Sequence, residues 1–220
     1  MKPGDLARIA PLSSCAYFLD VDGTLLDIMP RPEGVAAEES LKTLLAGLVG
    51  ATRGALGLVS GRAIKGIDRI FAPLVFPAAG LHGAEIRFPD GSRSGTPTGR
   101  EMDCVRQPLA DFIAAHPSLR LEDKGAALAV QEGKMVAKLK QAHRDKGNGI
   151  AALLASPPFW GRKPVFIGDD LTDESGFRFV NAQGGVSVRV GAAGIASDAL
   201  YRLPDPASVR TELHRLLAGR

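Results

Sequence analysis

Cysteine is scarce: the 220 residues hold two, Cys15 and Cys104, with no CxxC spacing and no evident partner. A disulfide scaffold is excluded, neither residue is cast as a catalytic thiol, and both read as free thiols in a reducing cytosol. Aromatics are also few, at 5%, but 45% apolar and 23% charged residues with 26 Gly and 15 Pro keep the composition in the ordinary globular range. Disorder and a collagen-like chain are thereby excluded. No apolar run approaches the ~18 residues of a membrane span, and Asp5 and Arg8 break any leader-like start, so a soluble, unprocessed cytoplasmic protein is expected. Charge of one sign is lacking too. Lys+Arg 27 against Asp+Glu 24 leaves +3, spread along the chain. That gives no case for nucleic acid or a membrane surface, and it suits a small anionic substrate. A monomer is the expected state.

At roughly 150 residues per domain, the length admits one large domain or one medium domain with a small insert. Three short apolar runs stop abruptly at polar residues: Ala16–Leu19 before Asp20, Ala55–Val59 before Ser60, and Val165–Ile167 before Gly168-Asp169-Asp170. Such runs read as buried parallel strands. Between them, Leu41, Leu44, Leu45 and Leu48 mark an amphipathic helix, and Ile150, Leu153 and Leu154 another. The alternation argues a doubly wound α/β core, whose ligands bind at the carboxyl ends of strands. Asp20, Ser60 and Asp169 all fall there. A final helix is expected after Asp205 as N-cap and Pro206 at its first position. Residues 89–99, rich in turn formers, read as a linker. The stretch after it suggests a helix bent or interrupted at Pro108, then strands near 126–130 and 135–139. The expected organisation is a discontinuous core of 1–93 and 144–220, with a small second domain over 94–143.

The chemistry concentrates at the strand ends. In Asp20-Val21-Asp22-Gly23-Thr24-Leu25, residues two apart in an extended segment point the same way, so Asp20 and Asp22 can address one ligand. Two such carboxylates call for a cation or a shared proton, and Gly23 lets the backbone turn tightly with its amides open to an anion. An Asx turn with a glycine would use the same residues. Ser60-Gly61-Arg62 offers a hydroxyl and a guanidinium, the donors a phosphoryl group needs, although a helix N-cap with a surface arginine has this form too. Gly168-Asp169-Asp170-Leu171-Thr172-Asp173-Glu174 gathers carboxylates suited to Mg²⁺, or to the positive end of a helix. Lys146 starts the helix before that strand and could neutralise a phosphoryl oxygen.

Together, in this order, these motifs resemble the haloacid dehalogenase (HAD) superfamily of phosphatases. The resemblance implies an HAD-type doubly wound core with an inserted α+β cap over 94–143. It implies Asp20 as the nucleophile that becomes an aspartyl-phosphate, and Asp22 as the acid that protonates the leaving oxygen and later activates water. Ser60 and Lys146 would hold the phosphoryl oxygens, with Gly23, Thr24, Gly61 and Arg62 beside the substrate. Mg²⁺ would lie between the Asp20 side chain, the Asp22 carbonyl and Asp169, with Asp173 ordering metal-bound water.

A narrower resemblance, to the trehalose-6-phosphate phosphatase family, rests on Gly80-Leu81-His82-Gly83-Ala84-Glu85 and Leu121-Glu122-Asp123-Lys124-Gly125 beside the core motifs. It implies a sugar phosphate partner, with Glu122 and Lys124 at positions that recognise the disaccharide; a surface ion pair is the plainer use of these two. His82 stays outside the chemistry. Lys138 stands where that family usually carries a glutamate. Ala126–Val130 also runs straight into Gln131-Glu132-Gly133-Lys134, where relatives insert roughly another helix. Either the cap is shortened or a segment of the natural chain is absent here, the second being favoured. The alternatives are a phosphatase for another sugar phosphate and a non-catalytic phospho-sugar sensor.

Overall fold

The computed structural model describes the chain except residues 1–4, 29–35, 95–99, 124–126, 133–134, 141–144 and 220; side chains of 100–105, 122–123, 127, 129, 132 and 135–140 are also left undescribed. Its strands are β1 (Cys15–Leu19), β2 (Leu56–Val59), β3 (Ala78–Gly80), β4 (Glu85–Arg87), β5 (Arg93–Ser94), β6 (Leu119–Asp123), β7 (Ala127–Glu132), β8 (Met135–Lys140), β9 (Lys163–Gly168), β10 (Val186–Val190) and β11 (Tyr201–Leu203). Its helices are α1 (Asp5–Ile9), α2 (Glu39–Ala51), α3 (Ile64–Phe71), α4 (Arg100–Ala114), α5 (Lys146–Leu154), α6 (Glu174–Ala182) and α7 (Pro206–Ala218).

Every residue of β1 is buried, which explains its unbroken apolar run. Successive side chains point to opposite faces. Cys15, Tyr17 and Leu19 join the core that takes in α1, α2, α3 and α7. Ala16 and Phe18 join the core of α5 and α6 on the other face. On that second face Phe18 stacks on Phe159, ring centroids 5.2 Å apart, and each buried aromatic side chain contributes on the order of 1.5–3 kcal/mol. The fold is therefore a doubly wound α/β sandwich with helices on both sides of one sheet.

That sheet has eight strands in the order β11-β10-β9-β1-β2-β3-β4-β5. The strands from β11 to β3 are parallel, and β4 and β5 close one edge antiparallel. β1 lies between β2 and β9, the place where chain order reverses and an open crevice forms at the carboxyl edge. Asp20, Ser60 and Asp169 each follow one of these three strands. The tract read as a linker is in part a hairpin: Asp90 Oδ1 accepts the Ser92 N–H at 2.9 Å, and the chain turns back so that Arg93 pairs with Arg87.

The chain divides into two compact units, Met1–Ser94 with Asp145–Arg220, and Gly95–Arg144. The second contains α4 and a three-stranded antiparallel sheet in the order β6-β7-β8, with Leu128 buried. α4 runs on through Pro108 rather than stopping there. Proline costs the helix one backbone hydrogen bond, and this helix continues without it. Among the described residues no helix is long and apolar enough to cross a membrane.

Candidate active site

The strand ends bring three carboxylates and one ammonium together. Asp20 is still tied to the sheet, its N–H donating to the Ile167 carbonyl at 2.9 Å, and its side chain is buried. Directly after it the chain folds back, with the Leu25 and Leu26 amides donating to the Val21 carbonyl at 3.0 and 2.9 Å. Gly23 makes this turn at φ +76°, and a Cβ there would lie 2.1 Å from Asp169 Oδ2. The glycine thus gives Asp169 its room, as well as supplying the turn. Thr24, fully buried, donates from its hydroxyl to Asp169 Oδ1 at 3.4 Å.

Lys146, the first residue of α5, reaches across with its Nζ 2.8 Å from Asp20 Oδ1 and 2.5 Å from Asp173 Oδ1. The ammonium is almost wholly buried. Burial works to discharge it, yet the Asp20 and Asp173 carboxylates outweigh that and hold it above the ordinary lysine range. The other oxygen of Asp173 accepts the N–H groups of Asp169 and Asp170 at 3.0 and 2.8 Å. Asp173 therefore fixes both the lysine and the loop that carries Asp169.

Burial pushes Asp20 well above the usual carboxylate range, with Lys146 opposing and Asp173 adding to the rise. Asp169 is raised as well, by burial first and then by Asp173. Three carboxylates here face the single Lys146 ammonium. Oxygens of Asp20, Asp169 and Asp173 all lie within 4.8 Å of one another. An all-oxygen donor set of that size, carrying surplus negative charge, fits a hard divalent cation.

Ser60 is buried after β2, and its Oγ accepts the Arg62 N–H at 3.1 Å. The loop is braced by the segment that follows β3. There, Leu81, His82 and Gly83 all take left-handed backbone angles, φ +49°, +55° and +93°. Such angles are costly for the two non-glycine residues, and the surroundings hold them in place. The Leu81 N–H donates to the Arg62 carbonyl at 2.9 Å and the His82 N–H to the Ser60 carbonyl at 3.0 Å. A Cβ on Gly83 would sit 2.3 Å from the Asp145 carbonyl oxygen, so this loop also abuts the start of α5. Glu85 Oε2 accepts the Ile64 N–H at 2.9 Å, at the head of α3. This bracing was not legible from residue types, although the Gly80–Glu85 string marks the segment.

Arg62 meets Asp22. Its Nε donates to Asp22 Oδ2 and its Nη2 to Asp22 Oδ1, both at 2.6 Å. The hydrogen bond to Asp22 drives the guanidinium further toward its charged form, against some burial. The sequence put Arg62 beside the substrate phosphate, and its fork bonds Asp22.

Asp20, Asp22, Gly23, Thr24, Ser60, Gly61, Arg62, Lys146, Asp169 and Asp173 thus sit at or beside the strand ends of one unit. Of the residues expected to read a sugar, Lys124 lies outside the described residues. Glu122 is in β6 and Lys138 in β8, without described side chains. Backbone register pairs Glu122 with Ala129 and Ala129 with Lys138, so the two share one cross-strand row.

Residues 18–130 and 119–207 match the family model of trehalose-phosphatase. The chain belongs to the trehalose-phosphatase family. This is a family of phosphomonoester hydrolases with the HAD fold. The trehalose-6-phosphate phosphatase of Escherichia coli K12 is 38% identical, over 86% of this chain and 81% of that protein. Among solved structures, the trehalose-6-phosphate phosphatase C-terminal domain of C. albicans superposes with a TM-score of 0.81 at 17% identity, covering 94% of each chain. A phosphatase of the haloalkanoate (HAD) enzyme superfamily from Bacteroides thetaiotaomicron gives 0.62 at 16% identity, covering 92% of this chain and 94% of that one. The E. coli alignment spans 218 positions yet covers 86% of 220 residues, about 189, so about 30 positions face a gap in this chain. The two matched stretches overlap at 119–130, inside the second unit.

Proposed function

We propose that this trehalose-phosphatase family member hydrolyses trehalose 6-phosphate to trehalose and phosphate, with Mg²⁺ and through an aspartyl-phosphate on Asp20. The observation that carries the reading is the buried Asp20 carboxylate, held by Lys146 at 2.8 Å within the Asp20, Asp169 and Asp173 cluster. Phosphoryl transfer asks a protein mainly for position and for charge on the oxygens. Asp20 attacks phosphorus while the bond to the sugar oxygen breaks, and Asp22 gives that oxygen its proton. Water then attacks the aspartyl-phosphate, Asp22 takes the water's proton, and Asp20 is restored.

Ser60 and Lys146 hold the phosphoryl oxygens in this scheme, and Gly23, Thr24 and Gly61 border them. The Asp20 side chain, the Asp22 carbonyl and Asp169 would hold Mg²⁺, with Asp173 behind them. When bound, Mg²⁺ supplies positive charge that offsets the phosphoryl oxygens. Glu122 and Lys124 contact the sugar hydroxyls, and 94–143 serves as a cap on a core of 1–93 and 144–220. The enzyme works as a cytoplasmic monomer.

Phosphate release across a panel of sugar phosphates tests this. Trehalose 6-phosphate is expected to be turned over at least about tenfold better than glucose 6-phosphate, with activity lost on chelation and restored by Mg²⁺. Asp20→Asn is expected to be inactive. Equal turnover of the two sugars would transfer the chemistry to another sugar phosphate. A long-lived phosphorylated protein without multiple turnover would favour the sensor.

A further inference from the structure

We propose that Arg62 is a positioning residue acting through Asp22: its guanidinium fork aims the acid, rather than gripping the substrate phosphate. The inference rests on the function proposed above, in which Asp22 is the proton donor. Both polar faces of the pair are matched, Nε to Oδ2 and Nη2 to Oδ1 at 2.6 Å each. A two-point contact between planar groups fixes the carboxylate's rotation as well as its place, which a lysine cannot do.

The fork is mounted on a fixed base. The Arg62 N–H donates to Ser60 Oγ at 3.1 Å, and its carbonyl accepts the Leu81 N–H at 2.9 Å. The arginine side chain is 19% exposed and the aspartate 40%, so the arginine is the anchor and the acid faces outward, where a substrate arrives. Beside Asp20, Lys146 and Ser60 already provide a cation and a hydroxyl for the phosphoryl group.

The proton's path sets how the fork works. Each carboxyl oxygen has a second position that the fork leaves uncovered, and Asp22 carries its proton there with both arms in place. The proton passes to the sugar oxygen as its bond to phosphorus breaks. In the second half-reaction Asp22 takes a proton from the attacking water at that same position, still held by both arms. No other reactant is consumed.

An ester with a good leaving group needs no such acid, and this separates the two roles for Arg62. The test compares kcat/KM of the full-length enzyme with Mg²⁺ on trehalose 6-phosphate and on 4-nitrophenyl phosphate, for wild type, Arg62→Met, Arg62→Lys, Asp22→Asn and Arg62→Met/Asp22→Asn. General acid catalysis contributes about 10²–10⁴-fold, so Arg62→Met is expected to lose about 10²-fold on the sugar ester. That loss should exceed the loss on the aryl ester by at least about tenfold, and Asp22→Asn should discriminate in the same direction. Arg62→Lys, which keeps the charge without the fork, should retain the selective defect. The double variant should lose no more than about threefold beyond Asp22→Asn.

Equal losses on both esters, rescue by lysine, or multiplicative losses in the double variant would each overturn the proposal and return Arg62 to the phosphate. If Arg62→Met does not fold, judged by its melting curve, Arg62→Lys decides alone. Failure of trehalose 6-phosphate as a substrate would sink the function proposed above and leave this comparison intact, run on whichever sugar phosphate is turned over fastest. A wild type inactive on every ester overturns both.

Discussion

Gly23 stands where a methyl group has no room: φ is +76°, and a Cβ would lie 2.1 Å from Asp169 Oδ2. Gly23→Ala should displace Asp169 by about an ångström, and a shift of that size costs about 10²-fold in kcat. Its melting temperature should change far less than its activity. An alanine variant with wild-type turnover would show that Asp169 needs no such approach. At this scale Asp20, Ser60, Lys146 and Asp169 were legible because each follows or precedes a recognisable apolar run. Arg62 was legible as a cation, but its partner was not, because Asp22 lies forty residues away and the pairing depends on side-chain direction. Asp173 read as an acid that orders metal-bound water. Its engagement with Lys146 and two loop amides depends on how the Asp169 loop curls back.

Single elements follow local chemistry more closely. At the head of α7, the Asp205 side chain accepts the Ser208 N–H at 2.7 Å and Pro206 follows, as the sequence implied. Hydrogen bonding to that amide and hydroxyl holds the Asp205 carboxyl below its usual range. A carboxyl depressed in the folded state adds stability above its unfolded value, which is lost as pH falls through the folded one. Asp205→Ala should therefore melt below wild type at pH 7, with the gap closing below the ordinary carboxylate pKa of about 3.8. A gap unchanged at pH 3 would assign the effect to packing. β1, β2 and β9 were legible as apolar runs, but β5 was not. Arg93 and Ser94 carry no strand pattern, and they pair with β4 because the turn at Asp90 returns the chain alongside it.

For the molecule as a whole, all eight strands of the main sheet fall in Met1–Ser94 and Asp145–Arg220, and the described residues of the second unit contribute none. Joining Ser94 to Asp145 through a flexible Gly/Ser linker should leave a protein that melts cooperatively and still turns over 4-nitrophenyl phosphate. Its activity on trehalose 6-phosphate should fall at least about 10²-fold, since sugar recognition is assigned to the removed unit. Undiminished turnover of the sugar ester would place recognition in the core. A second unit was expected because strand-ending motifs lie on both sides of a turn-rich tract. The helix around Pro108 was legible from its apolar spacing, and of a bend or an interruption at the proline the helix shows no interruption.

The order of strands also decides when the sheet can close during synthesis. β1 leaves the ribosome well before β9, yet one of its edges pairs with β9, Cys15 opposite Lys163. At about 5–20 residues per second, that edge waits roughly 7–30 s for its neighbour. An apolar strand with one edge open for so long invites pairing with another nascent chain. Chaperone demand should therefore peak between the emergence of β3 and that of β9, and slowing translation across the second unit should lower the soluble yield.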